Sequence, residues 1–191
     1  FSPIKVNDFV AVRASFHATE SNVEYDLVIT PKMSFGTGHH ATTYMMLAAM
    51  QQINFSHKNV IDFGAGTGVL AILAAKMGAA NVLAIDNDKW SIENIRENIE
   101  VNNCQKIVVI HADAIPPESH ANIILANITL NVLSQASEGI YNALEKEGYL
   151  LISGILETDM SAINKVFVKE RYETIAFCQR EKWACILYRR N

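Results

Sequence analysis

The chain has 191 residues, half of them hydrophobic and 19% charged, and its 16 Lys and Arg against 20 Asp and Glu leave a formal charge of −4. That length suits one domain able to bury a core without a disulfide or metal staple. The mild acidity excludes the strongly basic surface of a dedicated nucleic-acid binder, and no direct nucleic-acid contact is expected.

No run of roughly 18 apolar residues occurs, so no membrane span is expected. Cys104, Cys178 and Cys185 form no C-x-x-C pair, and the six His are scattered. This argues for reduced thiols in a cytoplasmic protein and against a zinc site. The first residue is Phe1 rather than Met, with no basic leader, as expected of a cut inside a longer protein.

In chain order, Asp8–Phe16 and Tyr25–Thr30 read as strands, the second stopping at Pro31. Lys32–His40 is a loop with two glycines, and Ala41–Ile53 carries Met46, Met50 and Ile53 at helical spacing. From Asn59 strands and helices alternate. Val60–Phe63 is a strand, Gly64–Gly68 a turn, and Val69–Met77 a helix stopped by Gly78.

Val82–Ile85 ends at Asp86, and Asp88 can cap a helix with Ile92, Ile95 and Ile99 on one stripe. Ile107–Ile110 and the wholly apolar Ile123–Ala126 are strands, with a loop at Pro116-Pro117 between them. Leu133, Ile140 and Leu144 define a helix, Tyr149–Ile152 a strand, and Met160, Ile163 and Phe167 a short helix. Tyr172–Cys178 and Trp183–Tyr188 close the chain around a charged turn, Gln179–Lys182, too short for a crossover, so they pair antiparallel. The expected fold is α/β, a mostly parallel sheet covered by helices on both faces, with a terminal hairpin and short N-terminal strands.

Asp62-Phe63-Gly64-Ala65-Gly66-Thr67-Gly68 joins a strand to a helix, where glycines permit a sharp turn and close approach of a ligand to the backbone. Asp86 closes the next strand eighteen residues after Gly68, placed to hold ribose hydroxyls. The spacing is G-x-G-x-G, not the G-x-G-x-x-G of pyrophosphate binders. Asp62 beside the turn would repel a pyrophosphate but suits a ligand ammonium group. These features favour S-adenosylmethionine, which has an amino-acid end, a ribose and an adenine but no phosphate.

Asp113, after the third strand of this series, is placed to accept a bond from an exocyclic amine, although a solvated loop acid would read the same. Asn127 ends the next strand and resembles the Asn of N-P-P-Y-type motifs, which orients a target amine. Capping of the following helix is the alternative role.

Phe35-Gly36-Thr37-Gly38-His39-His40-Ala41-Thr42-Thr43 resembles the F-G-T-G-x-H-x-T-T signature of the ribosomal protein L-eleven methyltransferases, the PrmA family. Val60–Ile72, Ala126-Asn127-Ile128, Ser153-Gly154-Ile155-Leu156 and Glu181-Lys182-Trp183 match in order and spacing. The resemblance implies a class I, Rossmann-like methyltransferase with a seven-stranded sheet in a three-layer αβα arrangement. It implies S-adenosyl-L-methionine as cofactor, and lysine ε-amines and the N-terminal α-amine of that ribosomal protein as substrates. It puts cofactor contacts at Thr43, Gly64, Asp86 and Asn127, and the Gly36–His40 loop could fold over the methionine end as a lid.

Within this scheme the expected site is Asn127 as the catalytic residue, with Thr43, Asp62, Gly64, Gly66, Gly68, Asp86, Asp113 and Asn127 around the cofactor and no metal. His39 and His40 are candidate bases by pKa alone. Ala41 stands where Pro is common, and Thr129 and Asn131 alter the stretch after Asn127. Residues 31–191 are expected to be the methyltransferase domain. Residues 1–30 are expected to be strands and a linker toward a substrate-recognition domain for which this chain has no room. The alternatives are another amino-group methyltransferase, acting on a protein glutamine or a nucleic-acid base, a nicotinamide-dependent oxidoreductase, or a non-catalytic binding module.

Overall fold

The computed structural model describes residues 2–30 and 40–191. The Lys32–His39 part of the glycine loop therefore lies outside the described residues. Among the described residues ten strands and five α-helices follow in the order β1 (Ile4–Val6), β2 (Val10–Arg13), β3 (Tyr25–Val28), α1 (Ala41–Met50), β4 (Asn59–Phe63), α2 (Val69–Lys76), β5 (Asn81–Asp86), α3 (Lys89–Val101), β6 (Ile107–His111), β7 (Ala121–Asn127), α4 (Leu130–Ala143), β8 (Leu144–Leu156), α5 (Met160–Val166), β9 (Tyr172–Arg180) and β10 (Trp183–Arg190).

Seven strands form the main sheet in the order β6-β5-β4-β7-β8-β10-β9. β4 through β8 are parallel, and β10 runs antiparallel to both β8 and β9. Successive side chains on a strand point to opposite faces, and the core divides accordingly. Val60, Ile123 and Leu125 join one cluster with the apolar residues of α1, α2 and α3. Ile61, Phe63, Ile124 and Ala126 join the other, under Leu133 and Ile140 of α4 and Ile163 of α5. The three-layer α/β expectation is met.

The chain order reverses between β5 and β7, on either side of β4. In doubly wound sheets that reversal opens a crevice beyond the carboxyl ends of the strands.

Several boundaries differ from the sequence reading. The strand expected over Asp8–Phe16 is shorter, Val10–Arg13, because Asn7, left-handed at φ 51°, opens the turn that brings β1 back onto β2 and takes up Asp8 and Phe9. β3 ends at Val28 and α1 at Met50, each short of the expected end. Leu144 opens β8 opposite Ala121 rather than closing α4, and the chain then loops out to resume pairing at Tyr149 opposite Ile123. The closing hairpin turn is two residues, Glu181-Lys182, with Glu181 left-handed at φ 56°.

β1, β2 and β3 form a separate sheet, antiparallel then parallel. Val6, Phe9, Val10, Val12, Leu27 and Ile29 share the core cluster of α1 and α2. A polar ladder adds to this contact. Asn94 and Asn98 on α3 and its C-cap Asn102 sit four residues apart, hence on one face. Asn102 accepts from Val28 N–H at 3.0 Å and donates to Val28 O at 2.6 Å. Asn98 accepts from Thr30 N–H at 2.9 Å and donates to Thr67 O in the glycine turn at 2.8 Å. The backbone following β3 is thereby tied to the loop that shapes the crevice.

Candidate active site

A cavity of about 430 Å³ lies in that crevice, within the size range of small-molecule sites. Its floor is the glycine turn after β4. Gly64 and Ala65 N–H both donate to Ile85 O, at 2.9 and 3.0 Å, which curls the turn over the end of β5. Gly64 and Gly66 line the cavity. Gly68 does not line it among the described residues; it is the left-handed N-cap of α2 at φ 78°.

Asp86 lines the cavity from the end of β5. Its Oδ2 accepts from Gly66 N–H at 2.8 Å and its Oδ1 from Asp88 N–H at 2.9 Å. A carboxylate offers about four lone-pair sites, so each oxygen keeps one for a ligand hydroxyl. Asp88 caps α3 through Ser91 N–H at 2.9 Å, and that bond holds its carboxyl below the ordinary carboxylate range. Asp113 lines the cavity with an exposed side chain.

Asn127 lines the opposite side, at the end of β7. Its side-chain amide donates to the Thr43 hydroxyl at 3.2 Å, while its Oδ1 is buried without a hydrogen-bond partner. A buried unpaired acceptor is costly, and here it belongs to a cavity-lining residue. Thr43 itself is fully buried on α1, and its neighbour Thr42 is the residue that lines the cavity. The structure thus places the Thr43 hydroxyl behind Asn127, as the group that fixes its amide.

Asp62 does not line the cavity among the described residues. It is fully buried, and its Oδ2 accepts from Ala71 N–H in the first turn of α2 at 3.0 Å. Its Oδ1 has no hydrogen-bond partner. Burial pushes its carboxyl up to about 7, only partly offset by the Ala71 bond. Between about pH 4 and 7 the unfolded chain releases this proton while the folded chain keeps it. Stability from this group is therefore lost as pH rises through that window.

Asp62→Asn keeps an oxygen for Ala71 and removes the titration. It should melt higher than the parent at pH 8 by on the order of 1–3 kcal/mol, with the gap closing by pH 4. Thermal melts at the two pH values without added cofactor check this. A gap that widens on acidification would contradict the assignment.

Four lining residues carried no role in the sequence reading beyond motif matches or pKa. His40 is the N-cap of α1, its ring nitrogen 2.8 Å from the Thr42 hydroxyl and its ring edge-on to Trp183 at 4.9 Å. His39 lies outside the described residues. Trp183 and Ile128 supply apolar wall. Gly154 completes the set, with φ 83°, where the turn after β7 crosses β8. Position at a strand end was the available signal for Ile128, which follows β7, and for Trp183, which opens β10. No lining side chain among the described residues is Lys or Arg, and no cluster of metal-binding side chains occurs among them.

The residues present fit S-adenosylmethionine. Asp86 and Asp113 bias the cavity toward a cationic ligand, Asp86 retains lone pairs for ribose hydroxyls, and the orphaned Asn127 Oδ1 awaits an N–H donor. Strand order, crevice and glycine turn define the class I methyltransferase fold.

The chain belongs to the ribosomal protein L11 methyltransferase (PrmA) family, whose model matches residues 1–191. A ribosomal protein L11 methyltransferase of Porphyromonas gingivalis is 39% identical over 86% of the chain, and one of Bacteroides fragilis 32% identical over 98%. The chain spans 58% of the length of the first and 68% of the second. A ribosomal protein L11 methylase from Lactobacillus delbrueckii subsp. bulgaricus shares the fold with a TM-score of 0.88 at 22% identity, each chain covered completely. A methyltransferase from Pyrococcus furiosus aligns with a TM-score of 0.70 at 18% identity, over 86% of this chain and 88% of its own.

Proposed function

We propose that this chain is the catalytic part of a protein N-methyltransferase that uses S-adenosyl-L-methionine to methylate lysine ε-amines and the N-terminal α-amine of ribosomal protein L11. The observation that carries the reading is the Asn127 amide. Its nitrogen is committed to Thr43 and its oxygen is left as a buried, unpartnered acceptor. Family membership supports the choice of substrate. The reading places the protein in the cytoplasm. Residues 1–30 lead toward a further substrate-docking domain, which the greater length of the relatives accommodates.

When bound, S-adenosylmethionine supplies a methyl group activated by a cationic sulfonium. Asp86 would hold the ribose hydroxyls, Asp113 would accept from the adenine amino group, and Gly64 and Gly66 would let the ligand lie against the backbone. Asp62, buried beside the turn, accepts from Ala71 N–H and so holds the start of α2 under the glycine turn. Asn127 Oδ1 accepts an N–H of the incoming amine and so aims its lone pair. That amine must be neutral, although a free lysine has a pKa of ~10.4. The apolar wall of Phe63, Ile128 and Trp183 lowers it by desolvation. Positioning dominates the rate gain, and the design calls for no dedicated base.

Calorimetry with S-adenosylmethionine and with NAD separates this reading from an oxidoreductase. Tight NAD binding with no response to S-adenosylmethionine would overturn it. Asp86→Ala should weaken S-adenosylmethionine binding roughly 10–100-fold, the loss of charge-assisted hydrogen bonds worth ~1.5–3 kcal/mol. Unchanged affinity would remove Asp86 from the site. For the substrate, the full-length enzyme is assayed for methyl transfer to purified L11. Activity on another protein or on RNA, with none on L11, sinks that assignment.

A further inference from the structure

Cys178 and Cys185 face each other across the β9–β10 hairpin as direct register partners. Opposed residues of an antiparallel pair lie roughly 4.5–5.5 Å apart at Cα, inside the span of roughly 4.4–6.8 Å that a disulfide bridges. Both side chains point to the α1 face of the sheet. On β10, Trp183, Cys185 and Leu187 alternate into the cluster that holds α1, and Cys185 Sγ lies 3.9 Å from Met46 Sδ on that helix. On β9, Ala176 packs against the same cluster and Arg180 lies over the Tyr44 ring of α1 at 3.9 Å. Cys178 stands midway between these two, hence on the same face.

The two thiols differ in access. Cys178 is exposed on the edge strand, whereas Cys185 is buried. They also interact. The neighbouring Cys185 side chain lowers the Cys178 thiol below its ordinary value, and Cys178 raises that of Cys185, with burial raising Cys185 further. An exposed, thiolate-prone cysteine beside a buried partner has the arrangement of an attacking and a resolving pair.

We propose that Cys178 and Cys185 form an oxidation site that takes a hydroperoxide at Cys178 and closes to a cross-strand disulfide. The Cys178 thiolate attacks the peroxide, an S–O bond forms as the O–O bond breaks, and hydroxide leaves. Cys185 sulfur then attacks Cys178 sulfur, the S–S bond forms as the S–O bond breaks, and a second hydroxide leaves. The protons of the two thiols convert both hydroxides to water, so two thiols and one hydrogen peroxide give one disulfide and two waters. A small thiol reductant reverses the change.

The site adjoins the cavity. Cys185 lies where β10 and β8 slip register, opposite the extra residues Ser153 and Gly154, and Trp183 on the cavity wall is its neighbour two positions back on the same face.

The test is peptide mapping of the purified protein after hydrogen peroxide, with thiols blocked before and after reduction. The expected result is a loss of about 2 Da per molecule, with residues 178 and 185 joined within one chain, reversal by dithiothreitol, and Cys104 still a thiol. Cys185→Ser should instead accumulate a Cys178 sulfenic acid captured by dimedone. An unchanged thiol count overturns the proposal. So does oxidation of Cys178 to sulfinic acid while Cys185 stays a thiol, or a bridge through Cys104 or between molecules. If Cys185→Ser does not fold, mapping of the parent protein decides alone.

Discussion

Asn127→Ala is expected to lower kcat for methyl transfer by on the order of 10²–10³-fold while changing the Kd for S-adenosylmethionine less than about tenfold. The asymmetry follows from how the amide is held. Its nitrogen donates to the buried Thr43 hydroxyl, and its oxygen is a buried, unpartnered acceptor on a residue that lines the cavity. On the proposed reading, truncation deletes the acceptor that aims the amine, whereas Asp86, Asp113 and the glycine turn remain for the cofactor. Thr43→Val is the companion measurement. It leaves Asn127 in place but removes the partner of its NH₂, so the amide can rotate and present the wrong end. Its kcat should fall roughly tenfold with cofactor affinity unchanged. Single-turnover transfer and calorimetry on the two variants give both quantities. If Asn127→Ala loses cofactor affinity and keeps its rate of transfer, Asn127 is a cofactor residue alone.

That pair of residues shows what the sequence could and could not disclose. Asn127 was legible because it ends a short apolar strand, and in a parallel sheet strand ends converge on the crevice. Gly64, Gly66 and Asp86 were legible for the same reason. Thr43 was placed at the cofactor by resemblance, but one residue of helix turns a side chain by about 100°, and Thr42 takes the wall position instead. Gly154 and Trp183 carried no assigned role, since each comes from a strand that meets β7 or α1 only in three dimensions.

Elsewhere, patterns of apolar residues were read well and polar ones poorly. The Ile92, Ile95 and Ile99 stripe gave α3 its buried face. Asn94, Asn98 and Asn102 drew no reading from the sequence, yet Asn102 pairs with the backbone at the end of β3, and Asn98 with the backbone just after it and with the glycine turn. A polar side chain satisfied by backbone from 31 to 74 residues away leaves no local trace. Leu144 was misplaced because helix and strand periodicities coincide at a single apolar residue on the boundary.

Gly154→Ala is expected to destabilise the fold by about 3–4 kcal/mol, a fall in Tm of roughly 6–16 °C for a chain of this size. Two costs add. Gly154 sits at φ 83°, a backbone region disfavoured for an L side chain, and a Cβ there would lie 2.5 Å from Ile128 O and 2.9 Å from Ile128 N. Those atoms are backbone, fixed in turn by the Ile128 N–H bond to Ser153 O at 3.2 Å, so no rotamer change relieves the contact. Gly64→Ala provides the contrast. Its φ is 76° and its Cβ would meet Ile128 Cγ2 at 2.2 Å, but that atom belongs to a side chain. Adding Ile128→Ala should therefore recover the steric part of the Gly64→Ala loss, leaving about 1–2 kcal/mol of backbone strain. The same addition should recover nothing for Gly154→Ala. Because Ile128 follows Asn127 directly, the molecules of Gly154→Ala that do fold should also transfer methyl slowly. Equal rescue of both alanine variants by Ile128→Ala would show that the turn after β7 moves as a flexible whole and that Gly154 does not fix the height of Asn127 over the sheet.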